Sequence, residues 1–519
     1  MPQSIAILGG GLTGLSSAYH LSRRFPTSKI VLLERQARLG GWVRSNRVDL
    51  NQIGASVLLE AGPRTLRPNG KCVLELINLL GLEDKVITIP KTAPAAKSRF
   101  LYIPESHHSK VSGLQRLPNS ILSLLNSPLL SILLPAILRE PFKGANRPPR
   151  ANDESVDSFL TRRFGETFAR VFGSALVHGI YATDSRKLSV RAAFPSMWDA
   201  EERGRGSLVR GLLVPPRKLK DEQETYELGR TLEMMNGVSV YSFKDGMESL
   251  TKALEDHLGT LANVRILVDT RISRIKMVDD QLLEISHSGG EPLRTSHAVS
   301  ALPLPVLHKL VSKSPSFDIP HLTQNPTSTV HVVNLIFPTA PKNIHPEGFG
   351  YLIPRPPSGY PDPSTTTNTG ILGTVFDSCS LHAQDLPHTT DYYNKASHTK
   401  LTVMTGGPYP TLPLPSQFSS SEGGADPVHI PAFIRSLLEA LKVQLGRELP
   451  DPIYWRIWNN EECIPTLMPG HLDRMQDLKT FLMSSGGWGG RLAVVGAGVG
   501  GVSVGDCVEA GRRVGRDWV

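Results

Sequence analysis

Two glycine-rich segments and one acid are the residues of this chain best suited to chemistry. The run Gly9-Gly10-Gly11-Leu12-Thr13-Gly14 follows the apolar stretch Ser4-Ile5-Ala6-Ile7-Leu8, and Glu34 closes a second apolar stretch, Ile30-Val31-Leu32-Leu33. Glycines at G-x-G-x-x-G spacing let a backbone approach a pyrophosphate at a helix N-terminus, and a carboxylate ending the next strand accepts hydrogen bonds from a ribose hydroxyl pair. Glu34 lies 20 residues beyond Gly14 (34 − 14), where this dinucleotide motif needs an acid. A glycine turn in an α/β domain without a nucleotide is the plainer alternative, but strand, glycines, helix, strand and acid in register favour the dinucleotide. Arg35 follows the acid and could instead suit a 2′-phosphate. The second segment, Gly496 to Gly501, follows Leu492-Ala493-Val494-Val495 and leads into Val502-Ser503-Val504. It reads as strand, backbone-rich turn and helix, the helix closed by Gly511 with Arg512 and Arg513 near its end. A separate mononucleotide site is the alternative there, although no acid follows at motif spacing.

The elements that must carry these residues are legible in the pattern. Leu12, Leu15, Ala18, Tyr19 and Leu21 recur at helical spacing until Phe25-Pro26 stops the helix, between two runs that read as buried parallel strands. With 519 residues and 40% hydrophobic content, the chain can bury sizeable cores, which excludes a disordered tail or a small stapled scaffold. The length suggests roughly three domains, or two with one interrupted, and 46 Gly with 41 Pro predict many turns and long loops. Cys72, Cys379, Cys463 and Cys507 lie far apart, with neither metal-site nor redox-motif spacing. The net charge is +8, yet the basic residues form no block with interleaved aromatics, and only 6% of residues are aromatic. No nucleic-acid partner is therefore expected. Only Met1-Pro2-Gln3 precedes the first strand, so no cleavable presequence is expected and any organellar address is internal.

One stretch differs from the rest. From Leu117 to Leu138 no residue is charged, and leucines and isoleucines crowd together. Pro118, Pro128 and Pro135, with Asn119 and Asn126, break the run into short helices, a poor fit to a span of about 20 apolar residues. Lys110, Arg116, Arg139, Lys143 and Arg147 flank it, which suits an interfacial helix pair on anionic lipid; an ordinary buried helical subdomain is the alternative. The stretches 354–370 and 406–427 read as Pro/Ser/Thr/Gly-rich surface insertions, and 215–230 as a charged loop.

Arg38-Leu39-Gly40-Gly41-Trp42 extends the first motif, and this R-x-G-G continuation resembles the FAD-dependent amine-oxidase and phytoene-desaturase superfamily. Leu58 to Pro68, with its Gly62-Pro63-Arg64 turn, is similar to the protoporphyrinogen oxidase family of eukaryotic mitochondria. Arg99-Phe100-Leu101-Tyr102-Ile103, Leu176 to Ala182 with Arg186, Phe194-Pro195-Ser196, and Val494 to Arg512 resemble that family too. The resemblance implies an α/β fold: a discontinuous Rossmann-like FAD-binding domain, a mixed α+β substrate domain and a helical membrane-binding domain. It divides the chain into 1–92, 213–300 and 461–519 for FAD (213–300 including the crossover to the substrate domain), 93–212 for the helical domain and 301–460 for substrate.

By the same resemblance one non-covalent FAD per chain is held by Gly9, Gly10, Gly11, Leu12, Thr13, Gly14, Glu34, Arg35, Trp42, Gly62, Pro63, Arg64, Thr65, Ile272, Ala497, Val502, Ser503 and Val504, the two chain ends meeting around it. Arg99 pairs with a substrate propionate, a solvated arginine flanking a strand being the plainer alternative; a guanidinium suits a carboxylate because it offers two parallel donors. Phe349 and Leu352 lie against the macrocycle faces, Leu176 and Gly179 line the opposite side, and Met404 completes the pocket. His178 stands where relatives often carry arginine, which leaves the local charge open. Gly498 and Gly500 replace bulkier or acidic residues, a change expected to loosen contacts to the flavin. The implied reaction takes protoporphyrinogen IX to protoporphyrin IX in three two-electron steps, three O2 becoming three H2O2, the penultimate step of haem biosynthesis. No side-chain catalyst and no metal is expected, since the flavin carries the redox chemistry. Family expectations also include monotopic attachment to the mitochondrial inner membrane on its intermembrane-space side, a homodimer, and hand-off to ferrochelatase. Two rivals stand beside this reading. An amine oxidase or carotenoid desaturase would share the ends but lack Gly62-Pro63-Arg64 and the Arg99 strand, and an amine oxidase commonly attaches its flavin to a cysteine, whereas Cys507 lies inside the closing helix. Non-enzymatic escort proteins share the fold, but the intact glycine turns and Glu34 argue against them.

Overall fold

Ser4–Leu8, almost wholly buried, is the middle strand of a five-stranded parallel sheet, because its unbroken apolar run can be covered on both faces. The sheet order is Leu492–Val494, His297–Ser300, Ser4–Leu8, Lys29–Leu33, Val264–Leu267. Strands from both ends and from the middle of the chain thus share one sheet. The computed structural model describes residues 1–105, 111–148, 152–215, 225–279, 282–311, 318–361, 369–388, 398–410 and 430–518. Parts of the three loops read above as surface segments (216–224, 362–368 and 411–427), together with Lys110, lie outside the described residues.

The first helix, Leu12–Arg24, packs along the C-terminal helix, Val504–Asp517. Gly511 does not close that helix as expected; it lies inside it. A Cβ on Gly511 would come within 2.6 Å of Ser16 Cβ and Ser17 N, and one on Gly515 within 2.3 Å of His20 Cβ. The glycines are there for backbone contact between the two helices, and Ser16 Oγ crosses the seam to donate to Val508 O at 2.8 Å.

A seven-stranded sheet forms the second body, ordered Tyr454–Pro465, Thr327–Phe337, Thr399–Gly406, Ile371–Val375, Gly350–Leu352, Phe100–Ile103, Gly113–Arg116. Two expected boundaries move. Phe100–Ile103 and Gly113–Arg116, assigned with the helical segment 93–212, are the last two strands of this sheet, because Phe100 and Leu101 pair with Tyr351 and Leu352 and Phe100 pairs with Arg116. Tyr454–Pro465 runs across the 460/461 boundary, held in pairing with Thr327–Phe337.

The helical unit contains the broken apolar stretch as Ile121–Leu125 and Leu130–Arg139. Pro135 was expected to break the run but sits inside the second helix. Leu129, Ile132 and Ala136 are buried, whereas Leu122 (71% exposed), Leu125 (57%) and Leu138 (59%) face outward. No helix among the described residues is long and apolar enough to cross a membrane.

A buried charge pair secures this unit. Arg163 Nη2 lies 2.6 Å from Glu140 Oε1, both side chains fully inaccessible. Glu140 also accepts Ser207 Oγ (2.6 Å) and the amides of Leu208 (2.8 Å) and Val209 (3.2 Å), so one carboxylate caps the helix Leu208–Leu213 while neutralising Arg163. Burial pushes its pKa up, but these hydrogen bonds outweigh it and hold the carboxyl below the usual range. Removing one member of a buried pair strands the other charge, so Arg163→Met is expected to destabilise the helical unit by about 3–5 kcal/mol, measured as a lowered urea midpoint at unchanged slope; an unchanged midpoint would show the pair is not needed.

Candidate cofactor and substrate site

The glycine turn is built as a backbone cradle. A Cβ on Gly14 would lie 1.9 Å from Gly9 O, so no other residue lets the helix start this close to the strand. Gly11 caps the helix without any side-chain hydrogen bond, leaving the first-turn amides to a ligand. Glu34 is fixed at the strand end: Gly10 N donates to Oε2 at 2.7 Å and Gln36 N to Oε1 at 2.9 Å. Its remaining lone pairs suit a ribose diol. Arg35 is exposed beside it. Thr270 N donates to Glu34 O at 2.8 Å, which brings Ile272, at the start of the strand Ile272–Asp279, next to this end.

Arg38 shapes the following loop. Its guanidinium donates to the carbonyls of Leu39 (2.9 Å), Gly41 (2.6 Å) and Val43 (3.2 Å), while Gly40 N donates to Gly10 O at 2.9 Å. Gly41 is left-handed (φ 58°), and a Cβ there would sit 3.2 Å from Gly11 Cα, which would fill the cradle. Trp42 is exposed beyond it, and Gly62, Pro63 and Thr65 follow the strand Ala55–Glu60 at its far end.

Arg64 does something other than hold a cofactor with its side chain. It is buried, with Nη1 3.4 Å from both oxygens of Asp377, and its carbonyl accepts Ser242 Oγ at 2.7 Å. It braces the turn against the seven-stranded sheet's domain. The C-terminal turn also differs from expectation. It lies beside the first helix, with a Cβ on Gly496 3.8 Å from Thr13 Oγ1. Yet its helix is already capped: Ser503 Oγ accepts Asp506 N at 3.1 Å, and Asp506 Oδ2 accepts Ser503 N at 3.0 Å. This helix therefore presents no bare N-terminus; Ala497, Val502 and Val504 contribute half-buried walls. Cys507 is half-buried, and desolvation pushes its thiol up to about 11, a poor nucleophile.

On the substrate side, Arg99 precedes the strand Phe100–Ile103, its guanidinium carbon 5.8 Å from the Phe349 ring centre. Although exposed, it lies far enough against protein that desolvation, with Arg67 nearby, lowers its pKa. Phe349 is held by Ser98 O accepting its amide at 2.9 Å. Leu352 and Gly179 do not stand on opposite sides of a gap: Leu352 methyls lie 2.8 and 2.9 Å from where a Gly179 Cβ would be. Gly179 is there so that Leu352 can pack on its helix. Leu176 is half-buried on the same helix, and Met404 is half-buried among Ala61, Val332 and Leu372.

The open question at His178 is answered by its partners. Ile353 O can only accept, so Nδ1 carries the proton at 2.7 Å, and Nε2 accepts Tyr360 O–H at 2.8 Å. Burial lowers its pKa to about 4, so the position is neutral. Among the described residues no cluster of metal-ligating side chains occurs.

This combination of a parallel sheet, a glycine cradle with an acid and a second sheet facing it can be compared with known proteins. The family model of flavin-containing amine oxidoreductases matches residues 12–516. Protoporphyrinogen oxidases are similar over almost the whole length: that of Schizosaccharomyces pombe is 32% identical over 99% of this chain and 98% of its own, and that of Homo sapiens 31% over the same shares. The chain belongs to the protoporphyrinogen oxidases. A crystal structure from Exiguobacterium sp. 255-15, provisionally named as another, aligns with a TM-score of 0.71 at 22% identity over 99% of this chain and 98% of that one, which shows the common fold.

Within this flavin family the residues present fit the group, because the cradle is backbone-lined where side chains would obstruct it. Sequence reasoning missed Asp377, Ser242 and Tyr360, which partner Arg64 and His178 from distant segments and carry no local motif. Glu34→Ala is expected to weaken flavin retention about tenfold or more, the scale of hydrogen bonds to a charged group, measured as flavin-to-protein absorbance after dialysis; Arg35→Ala should leave that ratio unchanged.

Glu60, at the end of its strand, accepts Ser45 Oγ (2.7 Å) and Met247 N (2.9 Å), but burial prevails and raises its pKa from 4.5 to about 7. The native state then binds the extra proton between these values, so Glu60's contribution is full below pH 4.5 and is lost as pH rises through about 7. Urea midpoints measured from pH 5 to 8 should fall less steeply in Glu60→Gln than in the wild type; parallel curves would remove Glu60 as the titrating group.

Proposed function

We propose that the protein is an FAD-dependent oxidase that converts protoporphyrinogen IX to protoporphyrin IX, with three O2 reduced to three H2O2. The observation that carries this is Arg99 in a chain of this family: an arginine with no acceptor among the described residues, set over Phe349 at the edge of an apolar sheet face. A porphyrinogen is an apolar disc with two propionates on one edge, and that arrangement meets both parts of it.

The chain's own residues bind and orient. Arg99 holds a propionate, Phe349, Leu352 and Met404 give apolar surface, and neutral His178 adds no charge. Packing of Leu352 on Gly179 means that the macrocycle enters beside these residues and not between them. The flavin, when bound, accepts a hydride from the substrate and returns the electrons to oxygen. Gly9 to Gly14 and Glu34 anchor its nucleotide, and no side chain is assigned proton abstraction.

The proposal extends to place. The outward leucines of 117–138 continue onto Phe142 (85% exposed), Leu212 (68%) and Leu213 (81%), an apolar surface bordered by Arg139, Lys143 and Arg210. Such a surface suits monotopic attachment to a bilayer, which we assign to the intermembrane-space side of the mitochondrial inner membrane. A homodimer and transfer of product to ferrochelatase belong to the same reading.

Arg99→Ala should raise KM for protoporphyrinogen about tenfold or more, with kcat changed less, because a propionate contact is made equally in ground and transition states. Porphyrin fluorescence at fixed oxygen measures both constants, and Arg99→Lys should restore part of the affinity. Unchanged kinetics would remove Arg99 from the site, and purified protein without flavin absorbance would exclude the oxidase.

A further inference from the structure

A cavity of about 340 Å³ lies in the helical unit, between the helix Leu130–Arg139 and the segment Phe164–Phe168. Its size falls in the ~300–1,000 Å³ range of small-molecule sites. One wall is apolar: Ile132, Pro135 and Ala136 from the helix, Phe164 and Phe168 opposite. Those two rings stack at 4.6 Å, and Phe168 continues to Phe172 at 5.1 Å. Arg139, the last residue of the same helix, and Lys143 just beyond it also line the cavity.

Neither of these two cations forms an ion pair among the described residues. Arg139 has no acceptor among the described residues. Lys143 Nζ donates to Arg162 O at 3.2 Å, which uses one of its three N–H groups. The carboxylate nearest in sequence, Glu140, is engaged by Arg163, Ser207 and two amides. Glu166, the one carboxylate in the lining, is exposed and acts on Arg170. Desolvation, with Arg163 and Arg139 close by, lowers the Lys143 pKa against the weaker pull of Glu140. The same helix holds Ile137 and Leu138 on the surface. Two cations beside an apolar wall, on an element that also bears an exposed apolar face, describe a receptor for an acidic amphiphile.

We infer that this cavity binds the acidic head group of a glycerophospholipid, its phosphate on Arg139 and Lys143 and the start of its chains along Ile132, Pro135, Phe164 and Phe168. The inference rests on the membrane reading above for the source of the lipid. It goes beyond adhesion to a charged surface, because it requires one lipid per chain at a defined place.

Dihexanoyl phosphatidate below its micellar concentration, titrated calorimetrically into the flavin-loaded full chain, tests it. Expected is one site, bound at least about tenfold more tightly than inorganic phosphate or dihexanoyl phosphatidylcholine, since each cation and the apolar wall contribute separately. Arg139→Gln/Lys143→Gln should lose about tenfold or more in affinity. Ser131→Trp, at an exposed position of the lining, should abolish binding by filling the space. Equal binding of phosphatidate and phosphate would overturn the lipid site in favour of a bare anion site. Unaltered phosphatidate binding in the two variants would overturn the location. Flotation on neutral phosphatidylcholine vesicles reads the apolar surface separately: flotation without phosphatidate binding overturns the cavity alone, whereas one-site phosphatidate binding without flotation supports the cavity and removes the membrane reading.

Discussion

The close approach of the first helix to its neighbours is the contact on which the rest depends. At one end its start is pressed against the strand turn at Gly9 and Gly14, and along its flank Gly511 and Gly515 admit the C-terminal helix onto Ser16, Ser17 and His20. Backbone contact of this kind tolerates no side chain, so it fixes the position of the helix tightly. Everything about the nucleotide end follows from that placement: the free first-turn amides, the Glu34 carboxylate beside Gly10, and the Arg38 clasp over the loop.

Buried charges do a second kind of work, joining parts that apolar packing alone would leave free to slide. Arg64 reaches Asp377 between the cofactor turn and the second sheet, and Lys400 Nζ reaches Asp385 Oδ1 at 2.7 Å and Leu58 O at 3.0 Å across the same division. Each places a charge where water cannot replace the partner, so the two bodies have one favourable register. Glu140 and Arg163 perform the same task inside the helical unit. The substrate face is therefore held in a defined relation to the cradle by interactions that no single segment contains.

Much of the cradle was legible in the sequence because it is local. A strand, three glycines and an acid in register are decided by short-range geometry, and the structure joins them as that geometry requires. The expectation that the two chain ends meet in one discontinuous domain also followed from local units, and the structure puts strands from both in one sheet. What escaped was set by distant partners. Gly511 looked like a helix terminator because glycine usually is one after a periodic run, but the first helix claims it for packing. Ser503 looked like a cofactor contact, whereas Asp506 three residues on turns it into a cap. Gly179 and Leu352 looked like opposing walls, and their direct contact depends on how a helix and a strand carrying residues 173 positions apart cross. The helical boundary at 93 failed because the strands Phe100–Ile103 and Gly113–Arg116 are decided by their pairing with distant partners, which a short apolar run does not announce.

The five-stranded sheet has a consequence for how the chain reaches its native state. Its middle strand, residues 4–8, pairs with 29–33 on one side but with 297–300 on the other, and the strand beyond that, 492–494, comes later still in the chain. On a ribosome the first βαβ unit must wait, half covered, until most of the polypeptide has emerged. Sheets completed by such remote strands fold slowly and expose apolar edges meanwhile. The glycine seam between the helices Leu12–Arg24 and Val504–Asp517 thus acts as a late latch, closing only after these remote strands are in place.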